Sequence, residues 1–111
     1  MSKIHGDVPY GTLDFMILKT LERESLHGFG LARRIELRSE DLVKLNQGSV
    51  YPALVRLQQS GWISAKWGTS ETNRRAKYYS LTAAGRRQLR SEVENWERTA
   101  LLMARFLALE T

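Results

Sequence analysis

From Ala83 to Leu109 the chain runs without a proline and, after Gly85, without a glycine. Leu89, Val93, Trp96, Ala100, Met103 and Leu107 recur along it at alternating spacings of four and three, a heptad-like seam that belongs to a helix. At ~1.5 Å per residue that helix is roughly 40 Å long. Leu101, Leu102, Phe106 and Leu109 add apolar surface near its end. A chain of 111 residues builds one small core, which cannot cover a helix of this length. An apolar surface left over on this scale marks association. Pairing with a second copy is therefore expected. The competing arrangement folds the helix back onto the first helix of its own chain.

Upstream, the apolar period is first helical and then changes to two. Pro9-Tyr10-Gly11 reads as a turn, with Thr12 as the expected N-cap and Asp14 in the first helical turn. Leu13, Ile17 and Leu21 share a stripe that Phe15 and Leu18 widen. Ser25 to Gly28 interrupts it, and a second helix puts Leu31 and Ile35 inward with Arg33, Arg34 and Arg38 outward. After the Asn46-Gln47-Gly48-Ser49 turn, Val50, Leu54 and Leu57 carry a third helix to Gly61. Pro52 lacks the N–H of a helix interior, so the ladder is expected to begin near Ser49, with Pro52 in its first turn. Ile63, Ala65 and Trp67 then alternate, as do Tyr79 and Leu81, around a polar loop from Gly68 to Ala76. Thr82 caps the last helix. The order predicts a mainly α fold with a small β-hairpin: a winged helix-turn-helix over residues 1–81, with a C-terminal dimerisation helix over 82–111, forming one compact unit.

Charge is segregated along this order. Residues 1–46 carry seven basic and seven acidic side chains, residues 47–90 carry eight basic against Glu71 alone, and residues 91–111 carry two basic and four acidic. A basic middle within a chain of net charge +5 points to one polyanion-binding face. Enzymatic readings find little support. Two histidines, His5 and His27, and no cysteine cannot build a His/Cys zinc site. Gly28-Phe29-Gly30 begins like a dinucleotide fingerprint but has neither the third glycine nor a strand run before it. His27 reads as a turn or capping residue. No catalytic residue, metal or cofactor is expected. The absence of cysteine and of an apolar leader or membrane-length span agrees with a cytoplasmic protein.

Within the basic middle, Gln47, Ser49, Tyr51 and Arg56 lie off the apolar face of the third helix. Gln and Arg can read base edges through paired hydrogen bonds, and hydroxyls suit phosphates. Taken singly, each is also an ordinary exposed polar residue. Arg74, Arg75 and Lys77 are a denser signal, since three cations at a hairpin tip are hard to explain as structure. A winged-helix module that binds protein, or a ligand-sensing scaffold with little DNA binding, is the alternative. The former needs no basic helix or wing. RNA binding lacks a glycine-aromatic motif to support it.

The chain resembles the PadR family of bacterial transcriptional regulators. The motifs that carry the resemblance are Gly11-Thr12-Leu13-Asp14 with Ile17-Leu18, Leu26-His27-Gly28-Phe29-Gly30, Asn46 to Leu54 followed by Arg56-Leu57, Gly61-Trp62-Ile63, and Arg74 to Gly85. The single C-terminal helix is similar to the family's shorter subclass. The resemblance implies a homodimeric repressor on a near-palindromic operator of double-stranded DNA. It places Gln47 to Tyr51 at the start of the recognition helix and Arg74, Arg75 and Lys77 on the wing. It also implies a C-terminal helix that crosses to the partner's first helix. The expected dimer contacts are Phe15, Leu18, Leu89, Val93, Trp96, Ala100, Met103 and Leu107. Many members respond to a small molecule, which makes Trp96 and Phe15 the candidate contacts for a small aromatic effector. Packing alone also accounts for Trp96.

Overall fold

The computed structural model describes residues 4–5 and 11–109, so the expected turn at Pro9 and Tyr10 lies outside the described residues. In chain order the elements are β1 (Ile4–His5), α1 (Thr12–Leu21), β2 (Leu26–His27), α2 (Gly28–Arg38), β3 (Val43–Lys44), α3 (Gln47–Gln59), β4 (Ile63–Thr69), β5 (Arg75–Leu81) and α4 (Ala83–Ala108). Strand β1 pairs in parallel with β3, Ile4 opposite Val43. The other three strands form an antiparallel sheet in the order β2-β5-β4. This is the expected winged helix-turn-helix with a long last helix. Strands of two residues are too short to show alternation, which is why β1, β2 and β3 leave no periodic trace in the sequence.

Two helix starts differ from the expectation. Helix α1 is capped by Gly11, not Thr12. Gly11 takes φ 87°, a conformation glycine adopts without strain, and its carbonyl accepts the Phe15 N–H at 3.0 Å. Thr12 becomes the first helical residue, with its hydroxyl buried and unpartnered. Helix α3 begins two residues before Ser49 because Asn46 takes the cap: its Oδ1 accepts the Ser49 N–H at 3.0 Å. Pro52 therefore sits in the second turn. It has no N–H for the Gly48 carbonyl, and its exposure to solvent leaves water to serve that acceptor.

The hairpin is longer and its tip shorter than the alternation alone predicts. Strands β4 and β5 pair in register from Ile63 opposite Leu81 to Thr69 opposite Arg75. Five residues close the tip. The Ser70 N–H donates to the Arg74 carbonyl at 2.8 Å, the Asn73 N–H donates to the Ser70 carbonyl at 2.9 Å, and Asn73 takes φ 61°. A turn followed by a left-handed residue matches the twist of the flanking strands. Gly68, Thr69, Arg75 and Ala76, expected in the polar loop, thus belong to the paired strands of the wing.

Ile17, Leu18, Leu31, Val50, Leu54, Leu57 and Ile63 are fully buried between the three helices and the base of the sheet. Leu89 joins them from α4. Two expected dimer contacts are corrected here. Leu18 is 0% and Leu89 2% exposed within one chain, so neither has surface left for a partner. Both belong to the chain's own core because α1 and the first turns of α4 pack directly on it.

The start of α4 is fastened to the turn after α3. The Thr82 N–H donates to the Trp62 carbonyl at 3.1 Å, the Thr82 hydroxyl donates to the Gly61 carbonyl at 2.6 Å, and the same hydroxyl caps the Gly85 N–H at 3.0 Å. A Cβ added at Gly85 would lie 1.9 Å from the Trp62 carbonyl oxygen. Gly85→Ala should therefore lower stability by about 1–3 kcal/mol or more, because a backbone carbonyl must move. Denaturant midpoints would check this, and an unchanged midpoint would contradict the close approach. From Glu94 onward every described residue of α4 is exposed, although Trp96 still meets Phe15 of α1, and no helix among the described residues is long and apolar enough to cross a membrane.

Candidate nucleic-acid interface

Helix α2, the turn to α3, and the hairpin converge on one open cleft of about 810 Å³. One wall comes from the helix starts: His27, Gly28 and Phe29 at α2, Gln47 and Tyr51 at α3. The other is the distal wing, with Trp67, Arg74, Arg75 and Lys77. Glu71 at the tip is the acidic residue in this lining. Register explains the second wall. Ile63, Ala65 and Trp67 share a face of the sheet with Leu81, Tyr79 and Lys77. At its base that face covers the core, where Ile63 and Tyr79 are buried. The strands outrun the core, so the same face continues into solvent over α3.

Local contacts fix the helix side. His27 caps α2, with Nδ1 accepting the Gly30 N–H at 3.0 Å and the ring edge-on to Tyr78 at 5.4 Å. Gln47 folds toward α2, where a Cβ on Gly28 would lie 3.4 Å from its Oε1, and that oxygen is buried without a hydrogen-bond partner. Tyr51 stays exposed on the cleft wall. Burial raises the Tyr79 phenol above its usual pKa, with the Tyr51 phenol as a smaller second cause.

The structure thus gathers five of the seven residues expected to meet DNA: Gln47, Tyr51, Arg74, Arg75 and Lys77. Ser49 and Arg56 stand apart. The Ser49 hydroxyl turns back to Asn46 Oδ1 at 3.4 Å. Arg56 points across to α1, donating to Asp14 Oδ1 at 2.9 Å, and is not among the residues lining the cleft. The ion pairs among the described residues engage Lys19, Arg33, Arg34, Lys44 and Arg56, and Arg74, Arg75 and Lys77 are in none of them. Instead Arg75 lies 4.8 Å and Lys77 5.9 Å from the centre of the Trp67 ring. Trp67 was not singled out from the sequence. Its alternation with Ile63 and Ala65 reads as core. The signal that finds it is the hairpin register, which puts Trp67 opposite Lys77.

At the other end of the molecule, Phe15 and Trp96 meet within one chain, ring centres 5.9 Å apart and tilted by 48°. Trp96 keeps 39% of its surface exposed. Val93 is partly covered by the core, and Ala100, Met103 and Leu107 are exposed. So are Leu101, Leu102, Phe106 and Leu109, on other sides of the same helix end.

Comparison with known proteins agrees with this architecture. A transcriptional regulator from Clostridium thermocellum superposes with a TM-score of 0.78 at 28% identity, over 86% of this chain and 90% of that one. A PadR family transcription regulator from Clostridium difficile gives 0.77 at 30% identity, over 87% and 99%. Bacillus subtilis PadR, solved in complex with operator DNA, shares the fold at 23% identity with a TM-score of 0.65, over 73% of this chain and 47% of that longer one. The model of the transcriptional regulator PadR-like family matches residues 17–91, from the middle of α1 to the first turns of α4. With most of its length matched, the chain belongs to the transcriptional regulator PadR-like family.

Proposed function

We propose that this regulator is a homodimeric, sequence-specific DNA-binding repressor acting on a near-palindromic operator. The observation that carries the reading is the cleft itself. The N-terminal part of α3 and three cations outside the ion-pair network face one another across it. That is the arrangement a helix in the major groove and a wing on the adjacent backbone require. The operator complex of Bacillus subtilis PadR, which shares the fold, supports it. In this reading Gln47 swings its amide away from Gly28 to read base edges, Tyr51 and the wing hold phosphates, and two α4 helices join the heads. Trp96, in ring contact with Phe15 and still partly exposed, is the point at which a flat apolar effector would reach the seam and bias the angle between the heads.

The test is a footprint of the native protein on its own promoter region. The expected result is a protected segment with two related half-sites about one helical turn apart, ~34 Å. Protection of a single asymmetric site would remove the palindromic dimer. Absence of protection at low salt would remove DNA binding and leave the fold as a protein-interaction module.

A further inference from the structure

We propose that Trp67 is a positioning residue of the DNA interface: its indole holds Arg75 and Lys77 on the inner face of the wing, aimed at one phosphodiester strand running between wing and α3. The inference rests on the DNA-binding reading above and adds a residue to it. Trp67 is 56% exposed, although its neighbours on the same sheet face, Ile63 and Ala65, pack on the core. A large aromatic ring in water at the end of a hairpin has little packing to justify it. What it does contact is charge. Arg75 lies 4.8 Å and Lys77 5.9 Å from the ring centre, both within the range in which a cation is attracted to the face of an indole.

The register makes this contact intrinsic to the hairpin. Trp67 is directly opposite Lys77, and Arg75 is two residues along the same strand, so all three share one face of the sheet. That face looks across the cleft to Gln47 and Tyr51. Arg74, one residue off in the alternation, is not among the cations held by the ring. Long cationic side chains lose rotamer freedom when they bind phosphate. A ring that already orders two of them lowers that cost for every duplex, whatever its sequence. Trp67 thus acts through Arg75 and Lys77 without itself reading bases.

A double-mutant cycle distinguishes action through the cations from direct contact. Affinity for promoter duplex and for random duplex is measured at low salt for native protein, Trp67→Ala, Trp67→Phe, Arg75→Ala/Lys77→Ala, and the triple variant. Thermal midpoints confirm that the exposed site leaves the fold intact. Trp67→Ala should weaken both duplexes about tenfold, from two wings per dimer. Trp67→Phe should recover part of that loss. In the Arg75→Ala/Lys77→Ala background, Trp67→Ala should change nothing further. An undiminished loss in that background would mean that Trp67 contacts DNA itself and would overturn the proposal. Unchanged affinity of Trp67→Ala in the native background would overturn it as well and leave the DNA reading standing. Failure of the native protein to bind either duplex would remove both, and is recognisable because it precedes any substitution.

Discussion

Raising salt from 50 to 200 mM should weaken DNA binding about 10³-fold, a log–log slope near −5. The figure follows from the proposed interface. If the three cations of each head neutralise one phosphate apiece, the dimer neutralises about six, at ~0.9 per phosphate. Arg74, Arg75 and Lys77 supply these three in each head, and the Tyr51 hydroxyl and helix N–H groups position phosphates without neutralising them. Arg74→Ala removes one contact per head. It should weaken binding to all sequences alike and flatten the slope by about two for the dimer. Gln47→Ala should leave the slope in place and relax preference at particular base pairs, at ~1–3 kcal/mol each. Fluorescence anisotropy across a salt series, on promoter and random duplexes, measures both. A slope near zero would remove the wing from the interface, and a Gln47→Ala variant with unaltered base preference would remove that side chain from readout.

Much of this architecture is legible in the sequence, and the exceptions have physical reasons. The helical stripes and the alternating strands fix the order of the elements, because each depends on many residues agreeing on one period. Helix starts depend on a single residue, and there the rules compete. Thr12 is a good N-cap by type, yet Gly11 can take the positive φ that starts the helix one residue sooner. At the wing tip, Gly68, Thr69, Arg75 and Ala76 have the composition of a loop, whereas their pairing is set by the tight turn between them. For the candidate site, the sequence located the basic wing and the start of α3. It could not show that Arg56 is drawn to Asp14, a contact between residues 42 positions apart. Nor could it separate Leu18 and Leu89 from the interface. A heptad seam records which face of a helix is apolar, not where the chain's own core stops and a partner begins. That boundary comes past Trp96, whose ring still meets Phe15; from Glu97 on, every described residue of α4 is exposed.

Past that boundary, Met103→Glu/Leu107→Glu should convert a micromolar dimer into a folded monomer. Both side chains are exposed in the single chain, 48% and 67%, so the protomer loses no core contact by their replacement. Paired across a two-fold axis, four apolar groups leave the interface. At ~1.5–3 kcal/mol each, the loss is at least ~6 kcal/mol, more than four orders of magnitude in the dissociation constant. The surrounding residues argue for such an interface. Leu102, Phe106 and Leu109 lie off the Met103/Leu107 stripe, so the helix end is apolar on more than one side and needs more than one neighbour to cover it. A second α4 and the partner's α1 together would provide that cover. Native protein should therefore show a thermal midpoint that rises with concentration, and the variant should not. Leu42→Glu adds one such charge at a residue 44% exposed and outside α4, and it should leave the dimer intact. The variant should also bind an isolated half-site as weakly as a two-half-site operator, because the second head no longer arrives with the first. Sedimentation showing the native chain as a well-folded monomer at micromolar concentration, or the double variant as a stable dimer, would overturn assembly through this end of α4.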